Sequence, residues 1–431
     1  MAWGFMTDPE FQTELDWIDQ FVREEVEPLE FVLESAANLR QPRFEELVRP
    51  LQAEVKRRGL WACHLGPELG GKGFGQVKLA LMNELFGRTR FGPTVFGAQA
   101  PDTGNSEILA HYGTPEQKER YLQPLLDNKI VSCFSMTEPQ GGADPTQFRT
   151  KAVADGDDWV IAGEKWFSSN AKHASFYITM AVTDPDAAPH RRMSMFIVPA
   201  ETAGIEIIHN LGFHGEADPS HAHMRYNDVR IPRQNMLGGQ GDAFKVAQTR
   251  LSGGRIHHAM RTVAQAQKCF DLMCERALSR TTKGEMLGEK QLVQQMISDS
   301  WTQLRQFRLL VLETAWLIDH HNNYLKVRKN ISAVKATMPK VLHDVASCAL
   351  QVHGSLGIST DMPFTDLIIN SYHVGLADGP TEVHKVTVAR QILRDYTGAD
   401  EIFPTGYRPH LREKARAKYG ALRGEPAPAG R

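Results

Sequence analysis

The sequence predicts an α+β protein of several domains. A helical N-terminal domain spans 1–130, a central antiparallel β domain spans 131–241, a second helical domain spans 242–400, and a tail covers 401–431. Three observations carry this. Before Ile130, apolar residues recur at three- and four-residue steps. From there to about Gly241 the segments are short, β-rich and punctuated by turns. From Ala243 the helical period returns. No segment repeats another.

In the first domain, Phe11 to Val26, Arg43 to Gly59 and Val77 to Arg88 have helical spacing. PELGGKGFG (67–75) is glycine-rich but lacks the strand–turn–helix setting of a phosphate loop, so it reads as a turn between helices. TPEQKERYLQPLL (114–126) reads as a capped helix, with Thr114 as N-cap, Pro115 at the first helical position and Gln117 completing a capping box. In the second domain, WVIAG, SFYITMAV, MSMFIV, IEIIHN and MRYNDVRI read as strands separated by clusters such as DGDD. In the third, Val293, Ile297, Trp301, Leu304, Val311, Ala315 and Ile318 fall on one helical stripe, and similar stripes run through 256–279 and 331–353. From Glu401 the chain is rich in Pro, Gly, Arg and Lys and has no long apolar stripe.

Composition excludes several classes. Of 431 residues, 42% are hydrophobic and 23% charged, as in ordinary globular proteins. A formal net charge of -2 supplies no field for nucleic acid or a membrane surface. No apolar run approaches the roughly 18 residues of a membrane span. The acidic N-terminus has neither the basic-then-apolar order of a signal peptide nor the Arg-rich character of a transit peptide. Five scattered cysteines suit a reducing compartment and fit neither a disulfide framework nor a CxxC metal site, so a cytoplasmic location is expected.

Four segments, in order, resemble the acyl-CoA dehydrogenase family. They are CFSMTEPQGGADPTQFRTKAVADGDDWVIAGEKWFSSNAKHASFYITMAV (133–182), RTTKGEMLGEKQ (280–291), QVHGSLG (351–357) and LADGPTEVHKVTVARQIL (376–393). RIHHAMRTV (255–263) and LADGPTEVH (376–384) are similar to the branch whose human members are numbered ten and eleven. The resemblance implies the family fold, in which the third domain is a four-helix bundle. It implies FAD as cofactor, and removal of an α-proton and a β-hydride from an acyl-CoA to give a 2-enoyl-CoA, the oxidative step of fatty acid β-oxidation. It also implies an electron-transfer flavoprotein as acceptor and a homo-oligomer, dimer or tetramer.

Carried over position by position, the resemblance assigns residues to the flavin. Phe134, Ser135, Met136 and Thr137 would face the ring, with Phe167, Ser168 and Ser169 flanking it. Backbone amides and hydroxyls there would stabilise the reduced ring. Arg280 and Gln291 match residues that reach the pyrophosphate and adenosine from a partner subunit, and Arg suits a phosphate because its planar fork donates twice. Gln351, Gly354 and Gly357 match the other adenosine-side loop, where Ser355 replaces a family glycine; Pro380 and Glu382 fall in the closing motif. On the substrate side stand Ala143, Leu251, Arg255 and Gly379. Three positions depart from the family there: Ala143 replaces a serine, and Leu251–Ser252 replaces a Phe-Asp pair.

Asp378 has two readings. An Asp just before Gly379–Pro380 at a helix start is an ordinary N-cap. The resemblance instead aligns it with the family's catalytic glutamate, a carboxylate within reach of the substrate α-carbon. Some members carry the base on the helix after the β domain, and the aligned residue there is Gly254. An Asp base also occurs in nitroalkane oxidases, which share this fold, so that chemistry is the alternative; a redox-silent acyl-CoA-binding protein is a third. HGEADPSHAH (214–223) has the composition of a metal site, but its spacing fits no closed motif and it reads as a loop of the β domain. His257 and His258 point in different directions from one helix, leaving one free to face the pocket.

Overall fold

The structure is a computed structural model and describes residues 7–69, 71–213, 218–399 and 402–419. The chain divides into two compact units, Met1–Lys385 and Val386–Arg431. Helices and strands below are labelled in chain order.

Helix α1 (Pro9–Phe21) starts at Asp8, whose carboxylate accepts from Phe11 N at 2.8 Å, with Pro9 in the first turn. It continues through a wider turn at Val22–Val26. The segment expected as one helix from Arg43 is broken: Phe44–Leu47 is one short piece and α2 (Arg49–Arg57) another, with Pro50 in the first turn of α2. Helices α3 (Gly75–Phe86) and α4 (Asp102–Tyr112) follow. The capping box is present: Thr114 N donates to Gln117 Oε1 at 3.1 Å, and Gln117 N donates to Thr114 Oγ1 at 3.3 Å.

The β domain is a single sheet. Its strands are β1 (Ser132–Ser135), β2 (Lys151–Asp155), β3 (Asp158–Ser169), β4 (Phe176–Val182), β5 (Met193–Pro199), β6 (Ile205–Leu211), β7 (His221–Pro232) and β8 (Met236–Leu237). Their order is β6-β7-β3-β2-β4-β5-β8, with β1 beside β4. The expected antiparallel pairing holds for most neighbours, but β1 runs parallel to β4, and Lys151 of β2 pairs in parallel with Val182. β1 enters from the helical domain and no tight hairpin joins it to β4, so no turn forces it to reverse. β4 and β5 are buried on both faces except at their last residues, whereas β3 broadly alternates. His221 and His223 belong to β7, not to a loop.

Four helices make the last domain of the first unit: α5 (Ala243–Ser279), α6 (Gln291–His321), α7 (Arg328–His353) and α8 (Phe364–Leu376). They pack as a bundle on a core shared with the N-terminal helices, including Ile256, Val263, Phe307, Val341 and Phe86. The stripe read on α6 holds at Leu304, Val311, Ala315 and Ile318, but Trp301 is 50% exposed. The buried neighbour is Ser300, because two successive four-residue steps from Val293 through Ile297 carry Trp301 round to the edge of the core face. Helix α9 (Thr381–Leu393) begins in this unit.

In the second unit, the region read as a tail contains a helix, α10 (Arg408–Tyr419), which buries none of its residues. That is why it carries no apolar stripe. Residues 420–431 lie outside the described residues.

Candidate active site

The first half of α5 carries a polar face. Arg250, Gly254, His258 and Arg261 follow one another at steps of four, four and three, so their side chains project on one side of the helix. They line a cavity of about 440 Å³, with Gln99–Gly104 at the start of α4, Ser169 at the end of β3, and Asn370, His373 and Asp378 around the end of α8.

Asp378 lies in the short loop between α8 and α9 in the left-handed region, at φ 55. A non-glycine residue there costs about 1–3 kcal/mol and persists where its surroundings over-determine it. Here they do. Its carbonyl accepts from Arg255 Nε at 2.9 Å and contacts His384 Nε2 at 3.3 Å. The next residue, Gly379, sits at φ 102, and a Cβ on it would lie 3.0 Å from His384 Nε2.

This turn points the Asp378 carboxylate at α5. Oδ1 is 3.7 Å from Arg250 Nη1, and Oδ2 is 3.8 Å from His258 Nε2. The side chain is 15% exposed. The N-cap reading is therefore set aside, since the carboxylate faces Gly254 across the cavity. Burial pushes its pKa up, but the neighbours of its carboxylate, Arg250 first, then His258, Arg255 and Lys335, outweigh this and hold it below the ordinary carboxylate value. Burial, with help from Arg261, brings His258 down to about 3. The carboxylate therefore meets a neutral imidazole. Burial also brings His373 and His384 to about 4.

The buried charge nearby is mostly positive. Lys335 on α7, lowered by burial to about 8, donates to Val374 O at the end of α8 at 2.6 Å. Glu107 on α4 is pushed by burial up to about 8 and is protonated at neutral pH. Asp378 is thus an ionised acceptor in a partly dry, cationic cavity, an arrangement suited to taking a proton from a carbon acid whose anion needs stabilising.

Family models for the N-terminal, middle and C-terminal domains of acyl-CoA dehydrogenases match residues 8–129, 133–229 and 241–393. FadE2 of Mycobacterium tuberculosis, designated an acyl-CoA dehydrogenase, is 39% identical over 352 residues, which are 80% of this chain and 86% of its own. The chain belongs to the acyl-CoA dehydrogenase family. Acyl-CoA dehydrogenase family member 11 of Gallus gallus is also 39% identical, over 80% of this chain but 45% of its own length. Family member 10 of Mus musculus is 36% identical over 89% of this chain and 37% of its own. The chain thus spans less than half the length of these two vertebrate relatives. A Mycobacterium abscessus structure assigned as an acyl-CoA dehydrogenase superposes with a TM-score of 0.84 at 35% identity, covering 91% of this chain and all of the other.

Acyl-CoA dehydrogenases use FAD; of the positions expected to meet its ring, Ser169 lines this cavity, whereas Phe134, Met136, Thr137 and Phe167 lie on or just after β1 and on β3 and do not line it. A bulge in β3 between Lys165 and Ser168 puts Phe167 at φ 51 and turns its ring outward, 43% exposed. Ser169 beyond it lines the cavity, with Oγ 2.9 Å from His221 Nδ1. Phe134 on β1 lies under the Arg250 guanidinium, 4.0 Å from ring centroid to carbon. The carbonyls of Met136 and Thr137 are tied to β3, by Lys165 Nζ at 2.9 Å and Trp166 N at 2.8 Å.

Other expected contacts fall elsewhere. The Ser168 hydroxyl turns into the sheet, 3.2 Å from Ser135 Oγ, because the alternation of β3 sends Ser168 and Ser169 to opposite faces. Leu251 is a core residue packed with Ile108 and Met195, and does not line the cavity. Arg255 does not line it either; it stands behind Asp378 and grips its carbonyl. Ala143 and Glu382 are exposed, and Pro380 is half-buried. Arg280, Gln291, Gln351 and Gly354 are all exposed, at the end of α5, the start of α6 and the end of α7, which the up-down-up course of these helices brings to one end of the bundle.

The sequence reading missed Arg250, Arg261 and Lys335. For the first two a signal was present, the polar stripe through Gly254 in a helix otherwise packed into the core. His258 faces Asp378, whereas His257 is buried with its Nε2 unpartnered. Of the 214–223 segment, 214–217 lie outside the described residues; Asp218 pairs with Lys172 and with His173 Nε2. Among the described residues no group of His, Cys, Asp and Glu is placed to hold a metal.

Proposed function

We propose that this protein oxidises an acyl-CoA to a 2-enoyl-CoA, with Asp378 as the base. The α-proton passes to the Asp378 carboxylate, the Cα–H electron pair becomes the new C2=C3 bond, and the β-hydrogen leaves as hydride. FAD, when bound, accepts that hydride and its two electrons. The observation that carries the reading is the aim of Asp378: a strained turn directs an ionised carboxylate into the cavity at the point where α5 has no side chain. The surrounding Arg250, Arg255 and Lys335 keep the Asp378 carboxylate ionised and so able to accept the proton. Electrons then pass to an electron-transfer flavoprotein.

The exposed cluster at the far end of the bundle supports an oligomer. Arg280 follows Gly254 by about 26 residues of α5, on the order of 39 Å along the helix. Arg280 would therefore hold the pyrophosphate of an FAD whose ring serves the Asp378 of a partner subunit, so the working unit is at least a dimer. The five free cysteines suit a reducing, cytoplasmic setting. No helix among the described residues is long and apolar enough to cross a membrane.

Anaerobic titration of the purified flavoprotein with a panel of acyl-CoAs tests the activity. At least one member should bleach the flavin and appear as its 2-enoyl-CoA. Bleaching by none of them, with oxygen-dependent turnover of nitroalkanes, would overturn the proposal.

A further inference from the structure

We propose that Arg250 is a positioning residue of this site, fixing the Asp378 carboxylate toward the cavity and keeping it ionised for proton abstraction. This rests on the reading of Asp378 as base.

The placement of Arg250 is built rather than incidental. Its side chain is 11% exposed. Nε donates to Asn105 Oδ1 at 2.9 Å; the Asn105 amide donates to Ser132 Oγ at 2.8 Å; and Ser132 donates through both N and Oγ to Asp102 Oδ1, at 2.8 and 2.6 Å. The guanidinium carbon lies over the Phe134 ring, 4.0 Å from its centroid. Its stem passes so close to α4 that a Cβ on Gly104 would lie 2.7 Å from Arg250 Cγ. With Nε committed to Asn105, Nη1 faces Asp378 Oδ1 at 3.7 Å, an ion pair beyond hydrogen-bond length.

The other groups around Asp378 do different work. On α5, Arg255 bonds its carbonyl rather than its carboxylate, His258 is neutral, and Arg261 acts from farther away. On α7, Lys335 is committed to Val374 O. His373 of α8 and His384 of α9 are neutral, and His384 also contacts the carbonyl. Among the described residues, Arg250 is the permanent cation within 4 Å of the carboxylate. It joins the two halves of the site, since the same guanidinium touches the β1 aromatic assigned to the flavin and faces the base.

The test is the pH dependence of kcat/KM, which reports groups of the free enzyme. It is measured for wild type, Arg250→Gln, Arg250→Lys and Gly104→Ala, each checked for bound FAD and thermal stability. Arg250→Gln should move the acid limb upward by about one pH unit or more, the effect of losing one opposite charge at this distance. Arg250→Lys should restore most of it. Gly104→Ala displaces the stem without removing charge and should move the limb in the same direction by less. A merely structural Arg250 would lower stability and leave the limb in place. An unmoved limb in Arg250→Gln, or in Gly104→Ala should the first variant not fold, overturns the proposal. Asp378→Asn separates this from the parent reading. An inactive Asp378→Asn with an unmoved limb in the Arg250 variants sinks Arg250 alone, whereas a fully active Asp378→Asn sinks the base.

Discussion

A Cβ placed on Gly254 would lie 2.9 Å from Asp378 Oδ2. The two positions address the same point in the cavity from opposite sides, so the site has room for one acidic side chain, supplied here by the α8–α9 loop. Gly254→Ala should therefore impair the reaction without weakening the fold. Ala gains about 1 kcal/mol over Gly in a helix interior, while displacing the carboxylate by an ångström can cost on the order of a hundredfold in rate. Rapid-mixing measurement of flavin reduction should show a loss of about tenfold or more with an unchanged or raised Tm. An unaffected rate would mean that Asp378 does not point where the reaction occurs.

The adjacent Gly253 makes room for a second carboxyl. A Cβ there would lie 2.7 Å from Glu107 Oε2 and 3.3 Å from the Tyr324 hydroxyl. Glu107 is raised from 4.5 to about 8, so the folded protein holds a proton that the unfolded chain releases between those values. Its contribution to stability is present below pH 4.5 and is lost as pH rises toward 8. Glu107→Gln mimics the protonated form. It should match wild type in Tm near pH 4.5 and exceed it near pH 8; a variant less stable than wild type at pH 8 would show that Glu107 is ionised in the fold.

Lys165 and Glu138 form a buried ion pair at 2.8 Å behind the strand that precedes the flavin residues. Glu138 also accepts from Arg149 N and Thr150 N. Lys165→Met strands a buried carboxylate and should lower stability by about 3–5 kcal/mol, with weaker FAD retention because Met136 O loses its tether. Denaturant unfolding and the flavin-to-protein absorbance ratio read both effects. A loss under 1 kcal/mol would show that the pair is hydrated.

Arg280→Ala leaves the cavity at Asp378 untouched within its own chain. If a partner's flavin uses Arg280, the variant should lose FAD on dilution at least tenfold more readily, consistent with a charge-assisted contact of about 1.5–3 kcal/mol. Its thermal unfolding, measured with FAD in excess, should be near wild type. Equal FAD retention would remove Arg280 from the cofactor site.

Much of the architecture was legible because it is written in periods. The α–β–α order, the Thr114–Gln117 cap and the buried side of α6 all follow from local spacing. What spacing could not show was direction. The parallel entry of β1 depends on a partner strand some forty residues on, and the exposure of Trp301 depends on how far round α6 the neighbouring helices reach. The site divides the same way. Motif matching singles out Asp378 and Ser169, which both line the cavity, but Ser168 and Leu251 face the core because of strand alternation and helix rotation. Arg250 belongs to no familiar motif. Its role comes from Asn105, Phe134 and Asp378, residues remote in sequence that only the fold assembles.

Asp378→Asn keeps the shape of the site and removes its basicity, so it tests the central claim most directly. Mixed anaerobically with an acyl-CoA that reduces the wild-type flavin, the variant should retain FAD and bind the ligand while flavin bleaching slows by at least a thousandfold. Bleaching at the wild-type rate would contradict the assignment of Asp378 as the base.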